Sequence, residues 1–176
     1  MVWIQSISGK RVDVLQPDYR QIDIADIAHS LSMLCRFNGH GLKFYSVAEH
    51  CVHVSHEIAP ELAWVGLLHD AAEAYIGDIP SPLKRHLPDF KAYEEKMEAA
   101  IGEAFSIPPQ LFHSAELKRA DLQLLADEKA VLMAREPEPW SSPVPAAKNH
   151  ARIRAWAPEK ARQEFLDRFK MLDAKR

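Results

Sequence analysis

The stretch LLHDAAEAYIGDIPSPLK, Leu67 to Lys84, sets His69 and Asp70 side by side inside an apolar run. Titratable side chains are costly to bury unless something pairs with them. Glu73 follows His69 by four residues and Asp70 by three, a spacing that on a helix turns all three toward one sector. An imidazole and two carboxylates gathered there repel or desolvate one another unless a cation joins them. A mixed nitrogen and oxygen set suits Mn, Fe, Co, Zn or Mg. Taken alone, these residues have a competing reading, in which His69 and Asp70 are satisfied by backbone groups in the core. Asp78 sits just beyond the end of the same segment.

The elements that must position these residues read as helices. The segment WIQSISGKRVDV is a short hairpin with Ser8-Gly9 at its turn, and it is the one good strand candidate. From Asp23 to Leu34 the apolar residues follow helical spacing. RFNGHGLKFY then breaks the pattern with two glycines and an asparagine, a loop. Ser46 and Glu49 have capping-box spacing and open a second helix, SVAEHCVHVSHEI. Pro60 opens a third, running to about Tyr75 and stopped by Gly77. Ser81 reads as a cap on a short turn. DFKAYEEKMEAAIGEAF and the span from about Ser114 to Ala134 are further helices. After a Pro- and Ser-rich connection over Glu136 to Pro145, PEKARQEFLDRFKML closes the chain as a helix. The expectation is an all-α single domain over residues 1–176, a helical bundle with a short N-terminal β-hairpin.

Composition narrows the class. Apolar residues make up 47% of 176 and charged residues 27%, which suits one soluble globular domain. The net charge of −3 and the lack of a dense basic run argue against a nucleic-acid polymer as partner. No apolar stretch approaches a membrane span, and MVWIQSISGKRVDV lacks the shape of a signal peptide, so a cytoplasmic protein is expected. Cys35 and Cys51 read as reduced thiols rather than a disulfide framework. The oddity is histidine: of nine, His40, His50, His53 and His56 fall in one short segment.

The ordered set His50, His69-Asp70, Asp121 resembles the metal-binding signature of the histidine-aspartate (HD) phosphohydrolase superfamily. YSVAEHC around His50, LLHDAAEAYIGDIPSPLK around His69 and KRADL around Asp121 are similar to bacterial 5′-deoxynucleotidases and to the small phage dATP triphosphohydrolases. The resemblance implies an HD-type helical domain in which His50, His69, Asp70 and Asp121 hold a divalent metal (Co, Mn, Zn, Fe or Mg). It implies that metal-bound water attacks the phosphorus on the 5′ oxygen of a small deoxynucleotide. The products are a deoxynucleoside plus phosphate from a dNMP, or plus triphosphate from a dNTP such as dATP. Glu73 matches a water-positioning carboxylate and Asp78 an acid/base, although the pair could instead hold a second metal. Arg36-Phe37 matches an arginine-aromatic pair over the nucleotide, with Phe37 where several relatives have Trp. Lys84 is a candidate phosphate contact. The resemblance further suggests a homo-oligomer, for which the apolar face of FKAYEEKMEAAIGEAF is a candidate contact.

Other polar residues read more plainly. His53 and His56 belong to the surface or support the site from behind, His40 could reach it from its loop, and the four tryptophans read as core anchors. Two rival functions remain: a nucleotide-binding sensor without turnover, and a helical interaction protein with a structural metal site. Glu73 and Asp78 count against both, since a pure binder needs neither and a structural site is closed by its own ligands.

Overall fold

In a computed structural model of the protein, which describes residues 2–140 and 142–176, the chain is mostly helical with one two-stranded hairpin. Strands β1 (Trp3–Gln5) and β2 (Arg11–Asp13) pair antiparallel with Ile4 opposite Val12. The hairpin is fastened to helix α1 (Ile24–Met33), where the Asp26 carboxylate accepts the Ser8 N–H at 3.0 Å and the Ser8 hydroxyl at 2.8 Å. Asp23 caps α1 by accepting the Ala25 N–H.

Helix α2 (Val47–Glu57) is the centre of the molecule, packed against α1 and against α3 (Ala63–Leu68), α7 (Ala115–Leu132) and α8 (Pro158–Asp173). Nine of its eleven residues, Val47 through Ser55, are buried. A helix covered on every side must satisfy its polar groups inside the protein. The expected capping box is half formed. Ser46 Oγ accepts the Glu49 N–H at 3.1 Å, but the Glu49 carboxylate turns elsewhere. It accepts the backbone N–H groups of Arg154, Ala155 and Trp156 at 2.8, 3.0 and 2.6 Å. Those bonds hold Ala155 at φ +55°, a left-handed conformation that a non-glycine residue adopts only when its surroundings fix it.

The third expected helix is broken where its chemistry lies. A 3₁₀ turn (Pro60–Leu62) leads into α3 (Ala63–Leu68), and α4 (Glu73–Ile76) follows only after a turn of four residues, 69–72. In that turn the Ala71 N–H bonds Leu68 O and the Glu73 N–H bonds Asp70 O, both at 3.0 Å, the tighter i to i+3 pattern. Gly66 lets α3 approach α2 closely, since a Cβ there would meet Ile58 Cγ2 at 3.0 Å and Ser55 Cα at 3.1 Å. Gly77, at φ +75°, ends α4.

The remaining helices are α5 (Ser81–Lys84), α6 (Pro88–Phe105), α7 (Ala115–Leu132) and α8 (Pro158–Asp173). Ser114 caps α7 as its hydroxyl accepts the Leu117 N–H. Ser81 does not cap α5: it lies inside the first turn, and Pro80 stands at the cap position without a side-chain bond. On α6 the apolar residues Met97, Ala100 and Ile101 are buried in the chain's own core, so they are not free to form an oligomer contact. None of the tryptophans is fully buried. Trp64 and Trp156 border the core, Trp3 is exposed, and Trp140 packs near Phe37 with ring centroids 6.5 Å apart. No helix among the described residues is long and apolar enough to cross a membrane.

The irregular segment after α7 is strapped down by buried polar groups. Gln123 donates to Ala146 O at 3.0 Å, and Asp127 Oδ1 accepts the N–H groups of Lys148 and Asn149. Glu49 completes the fastening. Glu49→Ala deletes a buried acceptor and strands three N–H donors, so it should lower stability by about 3 kcal/mol. The midpoint of urea unfolding measures this; an unchanged midpoint would show the strap to be held without Glu49.

Candidate metal centre

Three elements converge on one point. His50 comes from the first turn of α2, His69 and Asp70 from the turn between α3 and α4, and Asp121 from α7. His50 Nε2 lies 3.3 Å from His69 Nε2, 3.2 Å from Asp121 Oδ1 and 3.6 Å from Asp70 Oδ2, and His69 Nε2 lies 3.2 Å from Asp70 Oδ2. Ligand atoms ~2.1 Å from a shared ion stand about 3.0–3.4 Å apart in octahedral or tetrahedral arrangement. The spacing fits a small divalent cation.

The outer nitrogen of each ring is already engaged. His69 Nδ1–H donates to Gly66 O at 2.9 Å, and His50 Nδ1–H faces Glu128 Oε1 at 2.7 Å. That tautomer leaves both Nε2 lone pairs aimed at the same spot, the arrangement expected of metal-ligating histidines. His50 is wholly buried, whereas 37% of the Asp121 side chain is exposed, so the cluster is closed behind and open on the Asp121 side. Structural sites are closed all round; open ones admit a substrate.

The imidazoles and carboxylates of the cluster set one another's charge. Burial opposes protonation of His69, yet Asp70 and then Cys51 hold its pKa well above the ordinary imidazole value. For His50, burial and Arg36 oppose protonation, while Glu128 and Asp121 raise its pKa. Burial would raise Asp70 and Asp121, but the two histidines hold both below the usual carboxylate range. The carboxylates ask for positive charge at their centre, and a divalent ion supplies it directly.

Cys51 offers its sulfur beside His69 and Asp70, so two groups among the described residues could hold an ion: His50, His69 and Asp121, or Cys51, His69 and Asp70. Burial pushes the Cys51 thiol up to about 11, leaving it neutral near pH 7 and the weaker ligand. The nitrogen and oxygen set is the better one.

Glu73 is buried beside this cluster, and its Oε2 has no hydrogen-bond partner. Burial, then the Asp70 and Asp78 carboxylates, push its carboxyl well above the ordinary range. Asp78 is half-buried just past α4. Arg36 is committed inward: Nε and Nη2 contact Glu128 Oε2 at 3.1 and 3.0 Å, and Nη1 lies 3.7 Å from Asp70 Oδ2. Phe37, at φ +56°, lies with its ring centroid 5.6 Å from the Arg36 guanidinium. Lys84 pairs with Glu94 at 2.7 Å. His40 is exposed and so is His56, while His53 is buried against Trp156, near Glu49.

The residue that sequence reasoning missed is Glu128. It is fully buried, bonded to His50 on one oxygen and to Arg36 on the other. Burial would raise its carboxyl, but Arg36 and His50 hold it low. A signal was present: Glu128 lies seven residues after Asp121 on α7, two turns along the same face.

Fold and cluster together define a mostly helical protein with a candidate metal-binding centre. The chain belongs to the family of the uncharacterized protein YfdR of Escherichia coli (strain K12): the two are 43% identical over 171 residues, 96% of this chain and 94% of that protein. It is also 36% identical to an uncharacterized protein of Rhodobacter capsulatus over 128 residues, 67% of this chain and 64% of that protein. No family model matches the chain.

Proposed function

We propose that this protein is an HD-type metal-dependent phosphohydrolase acting on small deoxynucleotides. The observation that carries the reading is the meeting of His50 Nε2, His69 Nε2, Asp70 Oδ2 and Asp121 Oδ1 beside the unpartnered buried carboxylate of Glu73. A divalent ion held there supplies Lewis acidity and lowers the pKa of bound water. Glu73, buried beside the cluster and free at Oε2, is suited to orient the attacking water or take its proton. Asp78, nearer the surface, is assigned to protonating the departing 5′ oxygen. Arg36 keeps guanidinium N–H groups beyond those on Glu128 for a phosphate oxygen. Lys84 contributes positive charge from behind its bond to Glu94.

A panel of deoxy- and ribonucleotides at each phosphorylation level, run with several divalent metals, tests the reading. Product analysis separates phosphate from triphosphate. Hydrolysis of none of them with any metal would remove the enzyme assignment and leave a sensor or a structural metal protein.

Sugar selection is assigned to Phe37. A ring packed against C2′ leaves a 2′-hydroxyl unpartnered, at a cost of roughly 1–3 kcal/mol, or about ten- to hundredfold in preference. Phe37→Ala should erode the preference for dAMP over AMP, or dATP over ATP, while metal content is unchanged. Equal kcat/KM for both sugars in the unaltered protein would exclude Phe37 as a gate.

A further inference from the structure

We propose that Glu128 is a positioning residue that ties the metal centre to the nucleotide-binding arginine, orienting His50 with one oxygen and Arg36 with the other. The inference rests on the metal-site reading above and adds a residue outside the ligand set.

The geometry is specific. Asp121 and Glu128, two turns apart on α7, address the two nitrogens of the same ring: Asp121 Oδ1 stands 3.2 Å from Nε2, and Glu128 Oε1 stands 2.7 Å from Nδ1. One helix thus sets both the ligand atom of His50 and its tautomer. A carboxylate accepting Nδ1–H fixes the ring plane and strengthens Nε2 as a donor to metal. The second oxygen, Oε2, takes Nε and Nη2 of Arg36 and so fixes the plane of the guanidinium. Arg36 balances the charge of Glu128 within the protein, so the assembly stands before any ion arrives. Its Nη1 lies 3.7 Å from Asp70 Oδ2, which closes the connection back to the ligand set. Neither aspartate nor glutamine reproduces this. Aspartate is one methylene too short to span both partners. Glutamine can accept from His50 with its oxygen, but it then turns an NH2 donor toward the donors of Arg36.

The test uses the full chain with Mn2+ and, separately, dAMP as probes. Glu128→Gln and Glu128→Asp should each weaken Mn2+ binding about ten- to hundredfold, measured by calorimetry. With Mn2+ saturating, each should also raise the dissociation constant for dAMP, because Arg36 has lost its anchor. Unchanged Mn2+ affinity, or unchanged dAMP affinity at saturating Mn2+, in a folded variant overturns the proposal. A variant that does not fold leaves the decision to the unaltered protein loaded with Zn2+. Its His50 Nδ1–H should give a downfield, slowly exchanging signal in 15N-resolved spectra, and absence of that signal overturns the proposal. If the unaltered protein binds no divalent ion, the metal reading itself fails, an outcome distinct from a failure of Glu128 alone.

Discussion

Alanine in place of His50, His69, Asp70 or Asp121 should strip the protein of bound divalent metal and abolish nucleotide hydrolysis together. The four donors come from three separate elements, yet His50 Nε2 lies 3.2–3.6 Å from a donor atom of each of the other three. Each loss therefore removes one donor of the set, and the remaining three should hold an ion far more weakly. Chelation of the intact protein should give the same inactive state, and added divalent ion should reverse it. His50→Ala differs in one respect. It also strands Glu128, whose Oε1 loses its buried partner, so this variant should be the least stable of the four. Metal analysis beside activity and thermal unfolding of each variant decides the matter. Full activity in chelator-treated, metal-free protein would exclude the centre as the seat of the reaction.

Glu73→Ala should part binding from turnover. Glu73 is not among the four closest donors, so metal content and nucleotide affinity should hold near their original values. General acid–base groups contribute on the order of a hundred- to ten-thousandfold in rate, and turnover should fall by that order. Removing a buried carboxyl crowded by Asp70 and Asp78 also relieves unfavourable burial, so unfolding temperature should not fall and is expected to rise slightly. Lower activity without lower stability is the signature of a functional group. Near-normal turnover would return Glu73 to a bystander role.

Helix positions were legible because apolar periodicity and caps act locally. Asp23, Ser46 and Ser114 cap α1, α2 and α7 with their side chains, and the hairpin turn falls at Ser8-Gly9. The break at His69–Ala72 was not legible. Its residues carry no glycine or proline, and the tightening accompanies a bond from the His69 ring to Gly66 O that spacing does not announce. Glu49 misled for a related reason. Its spacing from Ser46 fits a capping box, yet three N–H groups more than a hundred residues away compete successfully for the carboxylate. The expected grouping of His50, His69, Asp70 and Asp121 came from resemblance rather than spacing, since only His69 and Asp70 are neighbours in the chain. Glu128 was overlooked because DEKA on a long helix reads as a solvated charge run, whereas α7 turns that glutamate inward.

The partners of α2 arrive late in the chain. His50 meets Glu128 across 78 residues, and Glu49 meets the strap across 105 to 107. A chain growing from the ribosome therefore makes its most heavily buried helix long before the groups that neutralise it exist. Until α7 and then the strap at Arg154–Trp156 emerge, His50 and Glu49 keep their water, and α2 cannot be sealed on all sides without stranding them. Local helices form early, but closure of the centre waits for the last third of the molecule, and this helical protein takes on the long-range folding more usual of sheets. The candidate group of His50, His69 and Asp121 is complete only after Asp121 has been added, and His50 gains its bond to Glu128 only seven residues later. The order of synthesis itself completes the candidate centre only when most of the fold around it has been made.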